Sequence, residues 1–264
     1  MLSIAYRMVG SFSEAEDLVQ EAFLRFAQED EVESPRAWLT TVTTRLAIDH
    51  LRSARVRRET YPGTWLPEPV LADPAPDAAI RAETLSYAVL VLLERLSPVE
   101  RAVFVLREAF DYAYDEIAEI VGKSEANCRQ LASRARRHVG DRKPRFEASR
   151  ELVRRFVAAL QEGETGPLVE LLAEDVAFYG DGGGKAPAVG TPVVGAAAVV
   201  RLLQGFGRVG ARRGVRVQVT EFNGEPGLAA YEDDRLVALW AVEISGDTVQ
   251  AIRGIVNPDK LRYV

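Results

Sequence analysis

Cysteine occurs once in this chain, at Cys128, and histidine twice, at His50 and His138. One thiol excludes an internal disulfide framework and a cysteine-based metal site, and fits a reducing compartment. The two histidines are too isolated to suggest a metal site, so neither metal nor cofactor is expected. No apolar run reaches the roughly 18 residues that a membrane span needs. The start, MLSIAYRMVGS, has no basic segment ahead of its apolar residues and no cleavage site, which speaks against a secretory signal and for the cytoplasm. An excess of positive charge is missing too: the net charge is −6, which by itself argues against nucleic acid.

What is present is apolar content and a pattern of charge. With 264 residues, 47% of them hydrophobic, the chain can build one large domain or two to three small ones. Residues 1–33 hold Arg7 and Arg25 against eight acids. Residues 34–58 reverse this, with six arginines against Asp49, and residues 123–155 hold eleven Lys or Arg against four acids. Two basic blocks on helical sequence, separated by acidic sequence, point to two contacts with a polyanion.

The first half reads as helices. Ser13 is a candidate N-cap, followed by an apolar stripe of Leu18, Ala22, Phe23 and Phe26. Ser34-Pro35 and Ser97-Pro98 each open a further helix, and 78–96 carries helical periodicity of its own. Residues 114–139 divide into a short helix, a turn at Gly122, an N-cap at Ser124 and a second helix, the layout of a helix-turn-helix; Ala118 and Gly122 are small where two helices would meet. Between the halves, YPGTWLPEPVLADPAPD (61–77) contains five prolines, so neither a helix nor a central strand passes through it. It nevertheless displays Trp65, Leu66, Val70 and Leu71, unusual for a connector. After Asp141 glycine rises and alternation appears, with turn signals at Asn223-Gly224 and Gly246-Asp247. Two helices, a strand, a helix and a meander predict an α+β domain with helices on one face of an antiparallel sheet.

With these residues in view, the chain resembles the extracytoplasmic-function sigma factors of bacterial RNA polymerase. AEDLVQEAFLRF (15–26) resembles the region that grips the polymerase clamp. SPRAWLTTVTTRLAIDHLRSARVRR (34–58) resembles the part that melts and reads the minus-ten element. Residues 96–139 resemble the helix-turn-helix that reads the minus-thirty-five element. Three pentapeptides, WLPEP (65–69), DGGGK (181–185) and NPDKL (257–261), are similar to marks of the sigma-J-like subgroup, which carries a C-terminal SnoaL-like domain and no separate anti-sigma factor. The resemblance implies a multidomain chain: two all-α sigma domains, then an α+β SnoaL-like (nuclear transport factor 2-like) cone. The expected divisions are 1–60 for sigma region 2, with a first helix shorter than the family's; 61–77 for the linker; 78–140 for region 4; and 147–264 for the regulatory domain. The implied partners are core RNA polymerase, at its clamp and flap regions, and promoter DNA, with no membrane.

Site expectations follow. Asp17, Gln20, Glu21 and Arg25 share the polar face of the clamp-like helix. Arg45, Arg52, Arg55, Arg57 and Arg58 suit phosphate and single-strand contacts. Ser124, Asn127, Arg129 and Gln130 lie where a recognition helix reaches base edges, Ser133 points out on the same DNA-binding side, and Arg134, Arg136 and Arg137 farther along suit phosphates. In WLPEP, Trp65 and Leu66 are expected to bury on the third domain, with Glu68 in the same contact and Pro67 and Pro69 stiffening the segment. Asp181, Gly182, Gly183, Gly184 and Lys185 of DGGGK, and Asn257, Pro258, Asp259, Lys260 and Leu261 of NPDKL, would supply the receiving loops. SnoaL-type folds include enzymes; Asp175, Tyr179, Asp181 and Lys185 are the acid–base groups at hand, yet no histidine follows His138, and the chain is expected not to be an enzyme. A small-ligand pocket in that domain stays open, as does the competing reading of a ligand-responsive helix-turn-helix regulator that does not bind core polymerase.

Overall fold

Serine-led starts frame the helical half of the computed structural model, which describes residues 1–70, 86–139, 146–163 and 165–262. Residues 71–85, the end of the expected linker and the helix start expected at Ala78, lie outside the described residues, as do the side chains of 55–59 and with them Arg55, Arg57 and Arg58. The chain divides into two compact units. The first takes in residues 1–60 and the described chain from Val89 to Val139. The second takes in residues 61–70, Ser86–Ala88 and the described chain from 146 onward.

In the first unit the elements are α1 (Leu2–Val9), α2 (Phe12–Phe26), α3 (Pro35–Glu59), α4 (Tyr87–Leu93, whose first residues count with the second unit), α5 (Pro98–Phe110), α6 (Tyr114–Val121) and α7 (Glu125–Val139). Ser11, not Ser13, caps α2: its hydroxyl accepts from the Glu14 amide at 3.3 Å. The expected stripe on α2 also shifts. Ala15 and Ala22 are buried, whereas Phe23 and Leu24 are 50% and 62% exposed. Small alanines let α1 and α3 approach α2 on one side, and Phe23, about 100° around the helix from Ala22, is turned off that side. Ser97 opens α5 with a reciprocal capping box to Glu100. The α5 helix is central and packs on α1, α3, α6 and α7, with Ala102, Val103, Val105 and Leu106 fully buried. Its Arg101 is buried as well and donates to the Met8 carbonyl and to Glu94, both at 2.6 Å. Gly122 ends α6 at φ 65°, and a Cβ there would meet nothing within 4 Å. It serves the left-handed turn, not a close helix crossing as its small size suggests in sequence.

The second unit holds α8 (Phe146–Glu162), α9 (Thr165–Leu171), β1 (Leu172–Asp181), β2 (Val193–Val194), α10 (Ala196–Arg213), β3 (Arg216–Phe222), β4 (Glu225–Glu232), β5 (Arg235–Ser245) and β6 (Thr248–Ile255). The strand order is β2-β1-β6-β5-β4-β3. The sheet is mixed, not antiparallel throughout: β1 and β6 run parallel, Phe178 opposite Ile252, because the meander β3–β6 returns its last strand beside the first. One sheet face carries the helices over a core that includes Phe156, Leu168, Phe178, Val199, Leu203 and Ile252. Phe178, Phe206 and Trp240 meet on this side at centroid distances of 5.5–5.9 Å. Strand alternation sends Tyr179, Asp181, Leu239, Arg253 and Ile255 to the other face. Leu239 and Ile255 are fully buried there without belonging to the helix-covered core.

The capping box gives a direct check on α5. Ser97→Ala should lower the stability of the helical unit by about 1 kcal/mol, and Ser97→Gly by only a few tenths. Denaturant midpoints of the three proteins measure this; an unchanged midpoint in Ser97→Ala would remove the cap from the energetics of α5.

Candidate functional site

The second face of the sheet is covered by the linker. Residues 61–70, with neither helix nor strand, belong to the same compact unit and form a strap from Asp181 at the end of β1 to Asn223 beyond β3. Leu66 is 1% exposed, and Pro67, Glu68 and Pro69 are buried beside it. Trp65 differs from expectation. It is only half-buried, and its ring lies over the Lys260 ammonium, 4.1 Å from nitrogen to centroid. Leu66 is thus the apolar anchor, and Trp65 is a cation–π lid on a buried charge.

That charge faces Asp181, the last residue of β1, which is fully buried. Its Oδ1 accepts from the Tyr61 hydroxyl at 2.5 Å and the Gly183 amide at 3.1 Å. Its Oδ2 accepts from the Leu66 amide at 2.8 Å and Lys260 Nζ at 2.7 Å. Its carbonyl accepts from the amides of Val256 and Asn257. Lys260 also donates to the Leu66 carbonyl, and Asn257 donates through Nδ2 to the Tyr61 oxygen at 3.0 Å. Burial, then the hydrogen bond to Asp181, push the Tyr61 phenol well above its ordinary range, so it stays a neutral donor. Three separate pentapeptides therefore meet at one carboxylate, together with Tyr61, which sequence reasoning missed.

The glycines serve this meeting. At Gly182 a Cβ would fall 2.1 Å from the Ala186 carbonyl oxygen, and at Gly183 it would fall 2.3 Å from Asn257 Nδ2, with φ at 59°. Only glycine passes this turn without pushing NPDKL away. Lys185 closes the turn from outside by an ion pair with Asp259, which holds that carboxyl below its ordinary value through their hydrogen bond. Gly184 is exposed, and Pro258 and Leu261 are half-buried.

Two further contacts fasten the strap, and both were invisible in sequence. Asn223, read there only as a turn residue, accepts from the Val70 amide through Oδ1 at 3.0 Å and donates its own amide to the Val70 carbonyl at 2.8 Å. Beyond the linker, Tyr87 is fully buried, stands edge-on to Phe222 at 5.5 Å and donates its hydroxyl to the Pro67 carbonyl at 2.8 Å. Glu225 accepts from the Ala88 amide; burial raises its carboxyl above the ordinary value, against hydrogen bonds from Ser86, Ala88 and Tyr87. As for acid–base chemistry, Asp175 is exposed, Tyr179 lies beside the Arg253 guanidinium, and Asp181 is occupied on both oxygens.

In the first unit the expected nucleic-acid residues divide cleanly. On α7 Cys128, Ala132, Ala135 and Val139 are buried, whereas Ser124, Asn127, Arg129, Gln130, Ser133, Arg134, Arg136 and Arg137 are all exposed. Ser124 caps the helix, accepting from the Asn127 amide at 3.3 Å. Arg52 pairs with Asp49 at 2.8 Å. Arg45 is exposed and already engaged with protein: Nε and Nη2 donate at 2.9 Å to the carbonyls of Ile120 and Glu119, the last turn of α6, where a cation also meets the helix dipole. On α2, Asp17, Gln20, Glu21 and Arg25 are exposed, with Arg25 paired to Glu21 at 2.8 Å. Val19, Gln20, Phe23 and Leu24 line a shallow apolar groove beside them. Trp38 packs on Phe26 at 5.6 Å between centroids.

Comparison with known proteins places these parts. Family models match in three stretches: Sigma-70 region 2 over residues 1–57, Sigma-70 region 4 over 86–139 and a SnoaL-like domain over 153–256. Two sigma regions fused to a SnoaL-like domain define the class. The ECF RNA polymerase sigma factor SigJ of Mycobacterium tuberculosis is 44% identical over 287 residues, 98% of this chain and 89% of that protein. A probable ECF RNA polymerase sigma factor, SigI, of the same species is 33% identical over 99% of this chain and 91% of its own. The crystal structure of M. tuberculosis SigJ matches with a TM-score of 0.80 at 40% identity, covering 98% of this chain and 93% of that one. The chain belongs to the extracytoplasmic-function (ECF) RNA polymerase sigma factor family. No helix among the described residues is long and apolar enough to cross a membrane.

The pair Asp181–Lys260, 0% and 6% exposed at the side chains, sets a stability test. Lys260→Met leaves a buried carboxylate without its cation and should cost about 3–5 kcal/mol. Adding Asp181→Asn should recover part of that loss, because the uncompensated charge is gone. Measured unfolding of both single variants and the double variant decides; a double variant less stable than wild type by the sum of the two single losses would contradict the pairing.

Proposed function

We propose that this chain directs core RNA polymerase to its promoters and that its SnoaL-like domain regulates it in cis by holding the linker. Residues 1–60 take the role of polymerase and minus-ten binding, 78–140 that of minus-thirty-five binding, and 147–264 that of regulator, with no separate anti-sigma factor required. The convergence of WLPEP, DGGGK and NPDKL on the Asp181 carboxylate carries the regulatory half. A linker tied down by a buried ion pair has one defined state, and its release is an all-or-none event on which transcription can depend. The exposed polar side of α2 and its Phe23–Leu24 neighbours support the polymerase contact, and apolar side chains rimmed by polar ones are what an interface offers. The fully exposed polar face of α7 supports base reading by Arg129 and Gln130 and phosphate contacts by Arg136 and Arg137.

The test is direct. Mixed with core polymerase, the chain should co-elute and yield a promoter-dependent transcript; a chain that binds promoter DNA but never core polymerase would instead be a helix-turn-helix regulator. Asp181→Asn combined with Leu66→Ala should change transcript yield while both sigma regions still bind core. Wild-type yield from that variant would sink the cis-regulatory claim. Reversing charge at Asp17 and Glu21 should weaken core binding in a folded protein, and unchanged affinity would remove α2 from the polymerase contact.

A further inference from the structure

We infer that Tyr114, the first residue of α6, is a positioning residue for upstream-element recognition, holding the arginines of the recognition helix in the orientation that reads DNA. The inference rests on the proposed role of α7 as the base-reading helix. Two guanidinium groups lie over the Tyr114 ring, Arg129 at 4.8 Å and Arg107 at 5.3 Å from the centroid. A third, Arg136, donates to Glu108 at 2.9 Å and interacts with Tyr114 as well. Each arginine has a second fixed partner. Arg129 pairs with Glu125 one turn back on α7, Arg107 donates to the Tyr112 carbonyl at 2.8 Å, and Arg136 pairs with Glu108.

An arginine side chain carries much rotamer freedom, and an exposed one spends it on binding a base. Arg129 is 61% exposed at its side chain, yet a ring on one side and a carboxylate on another restrict it. A single exposed ion pair would not do this, because solvent and salt screen it. A cation–π contact restrains the plane of the guanidinium as well as its position, and the plane is what a bidentate contact to a guanine edge requires. Tyr114 stands on the first helix of the motif and Arg129 on the second, so the ring also fixes the reading group to a rigid neighbour. A tyrosine at this position does not face the core: it is only half-buried, while Ile117 and Ile120 fill the packed side of α6.

The experiment is a binding series on double-stranded DNA carrying the protein's own upstream element, against the same duplex with that element scrambled, in the full chain. Tyr114→Phe keeps the ring and should keep the discrimination ratio. Tyr114→Ala should lower that ratio about tenfold, toward the value for Arg129→Ala, with little effect on binding to the scrambled duplex. The double variant Tyr114→Ala/Arg129→Ala should discriminate no worse than Arg129→Ala alone. Additive losses in the double variant, or full discrimination in Tyr114→Ala, would overturn the inference. If Arg129→Ala itself leaves discrimination unchanged, the assignment of α7 as the base-reading helix falls instead. Unchanged helical circular dichroism in Tyr114→Ala separates positioning from folding; if that variant unfolds, Tyr114→Leu, which fills the space without a π-face, replaces it with the same expectation.

Discussion

The carboxylate of Asp181 is the constraint on which the second unit depends. A buried charge costs several kcal/mol in lost hydration unless its lone pairs are satisfied and an opposite charge lies near. Here four donors meet two oxygens: the Tyr61 hydroxyl, the Gly183 and Leu66 amides and the Lys260 ammonium. Those donors come from the linker, the glycine turn and the C-terminal turn. None of the three segments can leave without exposing the others to the full desolvation penalty, so they act as one body. Lys260 is equally constrained, since its ammonium lies over the rings of both Tyr61 and Trp65 and donates to the Leu66 carbonyl.

This arrangement gives each face of the SnoaL-like sheet its own cover. Its helix-covered face builds an ordinary apolar core. Its other face would be a large apolar surface if left bare, with Leu239, Ile255 and Phe222 upon it, and the strap and Tyr87 are what lie there. The polar groups on that face follow the same rule of paired burial. Arg253 is held by Glu243 at 2.7 Å and by the Tyr179 ring, and burial pushes its guanidinium below the ordinary value, against the Tyr87, Tyr179 and Glu225 side chains. In the helical unit the comparable device is Arg101, buried between the Met8 carbonyl and Glu94.

Much of this was legible in sequence, for identifiable reasons. Capping signals at Ser97-Pro98 and Ser124 act locally, so they survive without tertiary knowledge. The helix α7 was legible because Cys128, Ala132, Ala135 and Val139 recur on one buried side. Rare pentapeptides told that WLPEP, DGGGK and NPDKL belong together, but not which atoms meet. One misreading was local, the cap of α2 at Ser13 where Ser11 supplies it; the others were tertiary. Phe23 has the spacing of a core residue, yet α2 is covered on one side only by helices that sit on Ala15 and Ala22. Trp65 has the size of an anchor, but the smaller Leu66 is the one enclosed. The parallel β1–β6 pair joins the two ends of the domain, and no local pattern encodes such a pairing. Tyr61, Tyr87 and Glu225 carried no signal, and Asn223 only that of a turn, because the strap contact of each is with a partner at least 20 residues away.

The Leu66 amide reports most directly on whether the strap is held as described, since it donates to a fully buried carboxylate. Its hydrogen exchange in the intact chain should be slowed to the level of the central strands β5 and β6 and should fall away in Asp181→Asn while those strands stay protected. Exchange at the rate of an exposed linker amide in the wild-type chain would contradict the account.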